Sequence, residues 1–297
     1  MKRKSSIILM AAIMLPALVS GRVVRRSIGI YPSSVPETTT LRDGGMEFTY
    51  DYSYRLDTAS TDESDRTSDQ MLLQIAPDGL SKFSSLKNLT VDSVIMSSTT
   101  EQLAAALSDG KLSKGDYMNI YKNYPESGKV THTEKICTDW FRYEETIPQI
   151  DWTLTDSTRT ILDYECRMAE TDFRGRHWRA FYTEDIPLME GPWKLHGLPG
   201  LIMEAEADDG DYRFTIIGVK SESHRPITIY KVPFNETSRH KLYDTKYRFD
   251  SNPYTYAEAT AGITTNVTDD AGNPIPGVYD PIDLTYGYIE CDWLDAK

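Results

Sequence analysis

Histidine is the first residue type to examine for catalysis, because its imidazole can act as a base or bind a metal ion. A serine hydrolase of the common kind would also need a Gly-x-Ser-x-Gly turn, and the 297-residue sequence contains none. The zinc-peptidase spacing His-Glu-x-x-His is missing as well. The sequence therefore predicts no catalytic residue, metal site or cofactor, with a dispersed enzyme site around His177, His196 and Glu184 as an alternative. The histidines are His132, His177, His196, His224 and His240.

Two charged clusters could bind ions, but each also has an ordinary structural explanation. The run Asp208-Asp-Gly-Asp211 offers oxygen ligands for calcium. A β-hairpin turn requires the same residue types, and we favour the turn. Arg174, Arg176 and Arg179 could bind a carboxylate or a phosphate. We favour salt bridges to neighbouring acidic residues for these arginines.

Aromatic residues at alternating positions are the better candidates for ligand binding. If nothing else fills the sheet face that they line, it becomes an apolar pocket for a lipid, a peptide or another hydrophobic segment. The same pattern is typical of an ordinary core, since aromatic strand faces usually pack inward. Both interpretations stay open. The candidate ligand-binding residues are Tyr50, Tyr52, Tyr54, Trp178, Tyr182 and Trp193, with Phe48 on the same face.

Three cysteines are too few for a scaffold held by many disulfides. Cys137 and Cys166 both fall in predicted strands, and an oxidising compartment permits one bridge. We predict a disulfide between these two, which leaves Cys291 unpaired. The sequence has no Cys-x-x-Cys, so neither a thioredoxin-like site nor a cysteine zinc site is supported.

The segment from Gly191 to Ile202, which reads GPWKLHGLPGLI, has the most distinctive composition in the chain. Glycine relieves steric limits and proline fixes φ, so together they specify one backbone path. We interpret the second half as a structural connection that buries Leu198 and Leu201. The alternative is a docking loop with Trp193 and Leu198 exposed. The motif comprises Gly197, Leu198, Pro199, Gly200, Leu201 and Ile202.

These residues and the runs before them resemble the GLPGLI family, which is named for the motif at 197–202. The supporting runs are WTLTDSTRTI at 152–161, DYECRMA at 163–169, FRGRHW at 173–178 and FYTEDIP at 181–187. The resemblance is close over 152–219 and looser over 44–85. It implies a protein exported by Gram-negative bacteria of the Bacteroides group, and it implies no particular activity.

Strict alternation is clearest at 46–56, where apolar and polar residues exchange at every position. Such alternation predicts a long antiparallel strand with one wet face. Further strands are predicted along the rest of the chain to residue 229, and 86–116 is predicted to be the helical region. The sequence predicts a mostly β fold, in which a long curved antiparallel sheet wraps around a short helical insertion. The analogy is to the half-barrel of lipoprotein carriers.

The N-terminus predicts export. Lys2, Arg3 and Lys4 precede an apolar run from Ser6 to Val19, which is typical of a cleaved signal peptide at 1–21. No second apolar stretch is long enough to span a membrane. The net charge is −13, and removing three basic residues gives −13 − 3 = −16. Such a charge argues against nucleic acid and anionic membrane surfaces as partners.

The remaining predictions concern organisation and function. Residues 22–43 form an irregular lead-in, 44–235 the β domain, and 236–297 an acidic, irregular appendage. The function we favour is an exported binding or carrier protein, in the periplasm or outside the cell. Its ligand would be an apolar small molecule, a peptide or an envelope protein. The other non-enzymatic alternative is an assembly protein of an outer-membrane complex, with the appendage as its docking element.

Overall fold

The computed structural model describes residues 35–55, 66–99, 115–262, 279–281 and 287–293, and the single residues Glu63, Gln102, Asn273 and Gly277. The fold is mostly β, with one large sheet and three helices in the described part of the chain. The helices are α1 (Leu86–Ser97), α2 (Arg239–Ser251) and α3 (Pro253–Ala261). The strands are β1 (Thr38–Arg42), β2 (Gly45–Tyr54), β3 (Thr67–Ile75), β4 (Ser81–Ser85), β5 (Asn119–Lys122), β6 (Lys129–Ile136), β7 (Asp139–Thr146), β8 (Thr153–Ile161), β9 (Tyr164–Phe173), β10 (Arg176–Thr183), β11 (Leu201–Ala207), β12 (Tyr212–Ser223), β13 (Ile227–Tyr230) and β14 (Phe234–Glu236).

Two antiparallel meanders join to make the twelve-stranded sheet, whose order is β14-β7-β6-β5-β4-β3-β2-β12-β11-β10-β9-β8. The first meander runs from β2 to β7 and the second from β8 to β12. They meet where β2 pairs with β12, from Tyr54 opposite Tyr212 to Gly45 opposite Ser223. Among the strands of the described residues, β14 alone pairs in parallel, with β7. The structure thus confirms the predicted mostly β class with a large antiparallel sheet.

Aromatic rings fill the inner face of the sheet at the junction of the meanders. Tyr52 stacks on Phe214 of β12 with ring centroids 4.8 Å apart, and Tyr54 stacks on Tyr212 at 6.0 Å. The alternation along β2 places these rings on one side. A shift of one residue would turn them outward, so the packing fixes the register between β2 and β12.

Helix α1 does not fill the inner face, contrary to the prediction that the sheet wraps around a helix. Its N-cap is Ser85, whose hydroxyl accepts a hydrogen bond from the Asn88 amide at 3.1 Å. Val91 and Ile95 form a cluster separate from the main core, together with Val35. The helical stretch that the sequence predicts at 103–107 lies outside the described residues.

The chain after residue 235 is more ordered than its composition predicts. Ser238 caps α2, and Asn252 caps α3 with Pro253 in its first turn. The segment 287–293 is packed against the domain, with Trp293 1% exposed. The prediction of irregular backbone is therefore wrong for α2 and α3. It is also wrong for β1 in the lead-in, which pairs with β13.

Two further predictions concern the termini and the cysteines. The predicted signal peptide at 1–21 lies outside the described residues. None of the described helices is long and apolar enough to cross a membrane. Cys137, Cys166 and Cys291 are free thiols. The predicted disulfide between Cys137 and Cys166 is not formed, since Cys137 lies in the β6–β7 turn and Cys166 on β9, near opposite ends of the strand order.

Candidate functional site

A loop at 184–200, between β10 and β11, covers the inner face of the sheet, and we call it the covering loop. Its side chains Trp193, Leu195 and Leu198 belong to the main core and are at most 1% exposed. The Trp193 ring lies 5.6 Å from that of Trp178 on β10. The face that a helix was expected to cover is thus covered by this loop.

The six aromatic residues predicted to contact a ligand all lie in this core. Their exposed fractions run from 0 to 4%. The Tyr50 hydroxyl donates to the Ile202 carbonyl at 2.7 Å, which ties β2 to the start of β11. The structure therefore supports core packing for Tyr50, Tyr52, Tyr54, Trp178, Tyr182 and Trp193.

Two glycines of the motif at 197–202 do different jobs. Gly197 has φ +93°, in the left-handed region that favours glycine. At Gly200 the backbone passes close to Thr183, and glycine is required because a Cβ would collide with the Thr183 carbonyl. Leu198 and Leu201 lie in the main core. The motif at 197–202 is therefore a packed connection and not an exposed loop.

A cleft of about 320 Å³ opens beside the covering loop. The other walls come from the β3–β4 turn, the end of β5 and the segment after β7. This volume is large enough for a small molecule or a few side chains, and it lies at the low end of the volumes usual for ligand-binding pockets. Its apolar lining is Ile75, Ile147, Pro187, Leu188 and Met189, and its polar lining is Lys122, Asn123, Glu190 and His196.

Lys122 anchors the covering loop to β5. Its ammonium group is buried and donates to the carbonyls of Gly191 at 3.2 Å and Leu195 at 3.3 Å. The same group lies 2.5 Å from Glu190 Oε2. Since a buried lysine charge needs such partners, Lys122 holds the loop and the cleft wall in one arrangement.

His196 is neutral in the cleft wall. Its Nε2 lies 2.9 Å from the Pro148 carbonyl, which can only accept, so Nε2 carries the proton and Nδ1 is an acceptor. The Trp152 indole donates to the His196 carbonyl at 2.8 Å. Burial, reinforced by the charge of Lys122, lowers the pKa of His196 to about 4.

The structure does not assemble the alternative enzyme site. His177 lies near the start of β10 and Glu184 directly follows its end. The two are seven residues apart, which is roughly 23 Å at the rise of a strand. His177 lies 2.8 Å from Asp172, and Glu184 lies 3.2 Å from Arg167. His196 is in the cleft instead. The three residues predicted to share a site have separate environments.

The charged clusters behave as the favoured interpretations predict. The run Asp208-Asp-Gly-Asp211 joins β11 to β12 as a hairpin turn, with Gly210 at φ +72°. Arg179 Nε lies 2.5 Å from Asp208 Oδ1, and Arg176 also pairs with this turn through Asp209. Arg174 pairs with Glu145 at 2.7 Å.

A buried polar network beneath the covering loop was not predicted from the sequence. Lys194, fully buried, lies 2.7 Å from both Glu145 Oε1 and Glu290 Oε1, and 2.6 Å from the Tyr143 hydroxyl. The network continues from Tyr143 to His132 at 3.1 Å. The lysine at position 194, in the Gly- and Pro-rich segment 191–202, was the one local signal for this network.

Electrostatics keep the buried acids of this network charged. Burial alone would raise the pKa of Glu290, but Lys194 and Arg174 outweigh it and hold the pKa at about 2. Burial likewise opposes the charge of Glu134, and Lys246 and His132 hold its pKa at about 2. Both carboxylates are therefore ionised throughout the physiological pH range.

Comparisons with known proteins give a family match over a short segment. Residues 174–204, which include β10 and the covering loop, match the model of a family described as "Protein of unknown function (Porph_ging)". A search of curated protein sequences found no match.

Solved structures give a weak likeness in fold. Two structures of PNGF-II are similar to this chain, one in space group P21 with TM-score 0.42 and 13% identity, and one in C2 with TM-score 0.44 and 14% identity. The likeness covers 68% and 69% of this chain, respectively, and 33% of each PNGF-II chain. The chain thus matches about a third of the length of these structures.

Proposed function

We propose that this protein is an exported binding protein of the cell envelope and a member of the GLPGLI family. Two observations support the proposal. The basic residues Lys2, Arg3 and Lys4 precede an apolar run, as in secretory signals. The family match at 174–204 falls inside 152–219, where the resemblance in sequence is closest.

Export has a direct test in the N-terminal sequence of protein recovered from the periplasm or medium of producing cells. We expect the mature chain to begin after Ser20 or Gly21. Full-length protein that starts at Met1 and remains in the cytoplasmic fraction would contradict the proposal.

The proposed ligand site is the cleft beside the covering loop. The observation that carries this choice is the filled inner face, because Trp193 and Leu198 occupy the space that a carrier would leave for its cargo. The cleft is open to solvent, whereas the inner face is packed. A ligand can therefore reach the cleft without displacing any part of the core.

The lining favours a small ligand with an apolar part, such as an apolar peptide side chain. Leu188 and Met189 supply flexible apolar surface, and the Met189 side chain is 61% exposed at the rim. His196 supplies a neutral acceptor, and Lys122 and Glu190 are already paired with each other. Apolar walls with a few fixed polar groups are usual in small-molecule sites.

Binding can be tested with 8-anilinonaphthalene-1-sulfonate as an apolar probe and protein purified without detergent. We expect Met189→Asp to weaken probe binding about tenfold, since it puts a charge at the rim of the cleft. Met96→Asp is the matched control, because Met96 is 72% exposed on α1, away from the cleft. Equal affinities for the wild type and both variants, or no binding to the wild type, would refute the choice of site.

A further inference from the structure

The polar side chains that line the cleft beside the covering loop differ in what they can still bind. Lys122 has no free N–H group, because its three hydrogens are taken by two carbonyls of the covering loop and by Glu190. The Asn123 side chain donates to the Gly79 carbonyl at 2.9 Å and accepts from the Gly128 amide at 3.0 Å. Both donor groups of these side chains therefore already have acceptors within the protein.

His196 offers the opposite chemistry, an acceptor without a donor. Its Nε2 carries the proton and donates to the Pro148 carbonyl at 2.9 Å, so Nδ1 holds a lone pair. None of the described residues donates to this Nδ1. Burial, together with the charge of Lys122, lowers the pKa of His196 to about 4, which keeps the lone pair available at neutral pH.

Glu190 adds a second acceptor to the lining. Its Oε2 lies 2.5 Å from Lys122 Nζ, whereas the one hydrogen bond to Oε1 among the described side chains comes from the Ser81 hydroxyl, at 3.4 Å. A carboxylate oxygen has two lone-pair sites, so Oε1 can accept from another donor. The opposite charges of Lys122 and Glu190 offset each other, so the pair offers no net charge to a ligand.

The acceptor on His196 is fixed in position. The bond from Nε2 to Pro148 holds the ring, and the Trp152 indole donates to the His196 carbonyl at 2.8 Å. The next residue, Gly197, donates its amide to the Met189 carbonyl at 3.1 Å, which joins the imidazole to the rim of the cleft. A preformed acceptor of this kind loses little freedom when a ligand binds, which favours affinity.

An apolar molecule that enters the cleft removes water from these acceptors. An acceptor that loses its water and gains no donor weakens the complex, whereas one that gains a donor does not. The apolar walls at Ile75, Ile147 and Pro187 do not distinguish between apolar rings of equal size. The acceptors therefore decide which of two such rings is bound.

We propose that the cleft binds a neutral, apolar molecule that carries an N–H or O–H donor, and that His196 Nδ1 accepts the hydrogen bond from it. Molecules of the same size and shape without a donor bind less tightly. This specificity rests on the proposed function, in which the cleft is the ligand site. Glu190 is the second acceptor for a ligand that carries two donors.

Indole and benzofuran provide the test, because these bicyclic rings have nearly the same size and shape and only indole has an N–H group. The dissociation constant of each ring is measured with the full chain by titration followed by NMR. We expect indole to bind the wild type at least about tenfold tighter than benzofuran. Met189→Asp should weaken the binding of both rings, since it puts a charge at the rim of the cleft.

His196→Leu removes the acceptor and keeps an apolar side chain in the wall. It should lower the affinity for indole at least about tenfold and leave the affinity for benzofuran within about twofold of the wild type. His177→Leu is the matched control, because His177 lies on β10 and is not part of the cleft lining. It should leave both affinities unchanged. Circular dichroism first establishes that each variant is folded.

The nitrogen resonance of His196 Nδ1 gives a second measurement that needs no variant. Indole should move this resonance upfield, as expected when an unprotonated imidazole nitrogen accepts a hydrogen bond, and benzofuran should not. Equal affinities for the two rings, an unchanged indole affinity in folded His196→Leu, or an Nδ1 resonance that indole does not move would each overturn the proposal.

Failure of this specificity is distinguishable from failure of the proposed function. The probe 8-anilinonaphthalene-1-sulfonate can keep its sulfonate in solvent, because the cleft is open. If this probe binds in a way that depends on Met189 and neither ring binds, the cleft remains the ligand site and the specificity is wrong. If neither the rings nor this probe binds, both proposals are wrong.

Discussion

His196 should make the protein less stable as the pH falls from 7 to 5. Its folded pKa is about 4, below the unfolded value of about 6.5. The unfolded chain therefore takes up a proton in this range and the folded protein does not. The stability associated with the neutral imidazole is fully present above pH 6.5 and is lost as the pH falls toward 4.

The size of the effect follows from the two pKa values. A difference of about 2.5 pKa units corresponds to a total loss of roughly 3 kcal/mol in the free energy of unfolding, which is complete only below the pKa of the folded protein. Between pH 7 and pH 5 the loss should be about 1.5–2 kcal/mol. Glu134 and Glu290, whose pKa values are about 2, affect stability only near and below their unfolded values, so they do not contribute in this window.

The assay is urea unfolding of the wild type and of His196→Gln at pH 5, 6 and 7. Glutamine can still donate to the Pro148 carbonyl but does not titrate, so this variant should lose about 1.5–2 kcal/mol less than the wild type. His177→Gln is the control with the opposite sign. The bond to Asp172 raises the pKa of His177, so its stabilisation is present below pH 6.5 and fades as the pH rises. Parallel pH profiles for the wild type and His196→Gln would refute the reasoning.

Three further outcomes are expected. Gly200→Ala should destabilise by about 2 kcal/mol or more because its Cβ meets the Thr183 carbonyl, whereas Gly218→Ala, with its nearest neighbour 3.7 Å away, should change the unfolding free energy by about 0.5 kcal/mol. Equal thermal midpoints for the two would contradict this. Burial lowers the pKa of Lys82 to about 8, so its ammonium group loses the proton in the folded protein before it does so in the unfolded chain. Between pH 7.5 and 9.5 the free energy of unfolding of the wild type should therefore rise by about 2 kcal/mol relative to that of Lys82→Met. A difference in denaturant midpoint between the wild type and Lys82→Met that stays constant over this pH range would contradict the prediction. Ellman's reagent should titrate three thiols in unfolded, unreduced protein, and a count of one would reveal a disulfide.

Strands with one buried face could be predicted, and a strand buried on both faces could not. The alternation along β2 is strict, because one face packs on the core and the other is wet. Strand β4, with the sequence SKFSS, has no such pattern, although all five residues are buried. Its Lys82 donates to the Thr228 carbonyl at 2.8 Å, under the small sheet of β1 and β13. A polar strand of this kind is stabilised by partners far away in sequence.

The two C-terminal helices had local signals that the composition obscured. Ser238 precedes α2, the Asn252-Pro253 pair begins α3, and Gly262 ends it in a left-handed conformation. The acidic character of 249–297 led to the prediction of an irregular segment instead. Capping residues were here the better guide than net charge.

The candidate sites depend on contacts between distant residues. Lys194 meets Glu145 and Glu290, which stand 49 and 96 positions away. No spacing within the sequence predicts such a meeting, since the covering loop must first be folded over the sheet. The motif at 197–202 was recognisable as a structural connection, but the surface that it covers was not.

The joining of two meanders through β2 and β12 has a consequence for the order of folding. Within each meander, neighbouring strands are close in sequence, so each can form through inexpensive loop closures. The pairing of Tyr54 with Tyr212 joins residues 158 positions apart and closes the sheet between them. Such non-local pairings are slow steps in folding. The halves should therefore form early and combine late, and the ion pair between Lys194 of the covering loop and Glu145 of β7 should form only after they have combined.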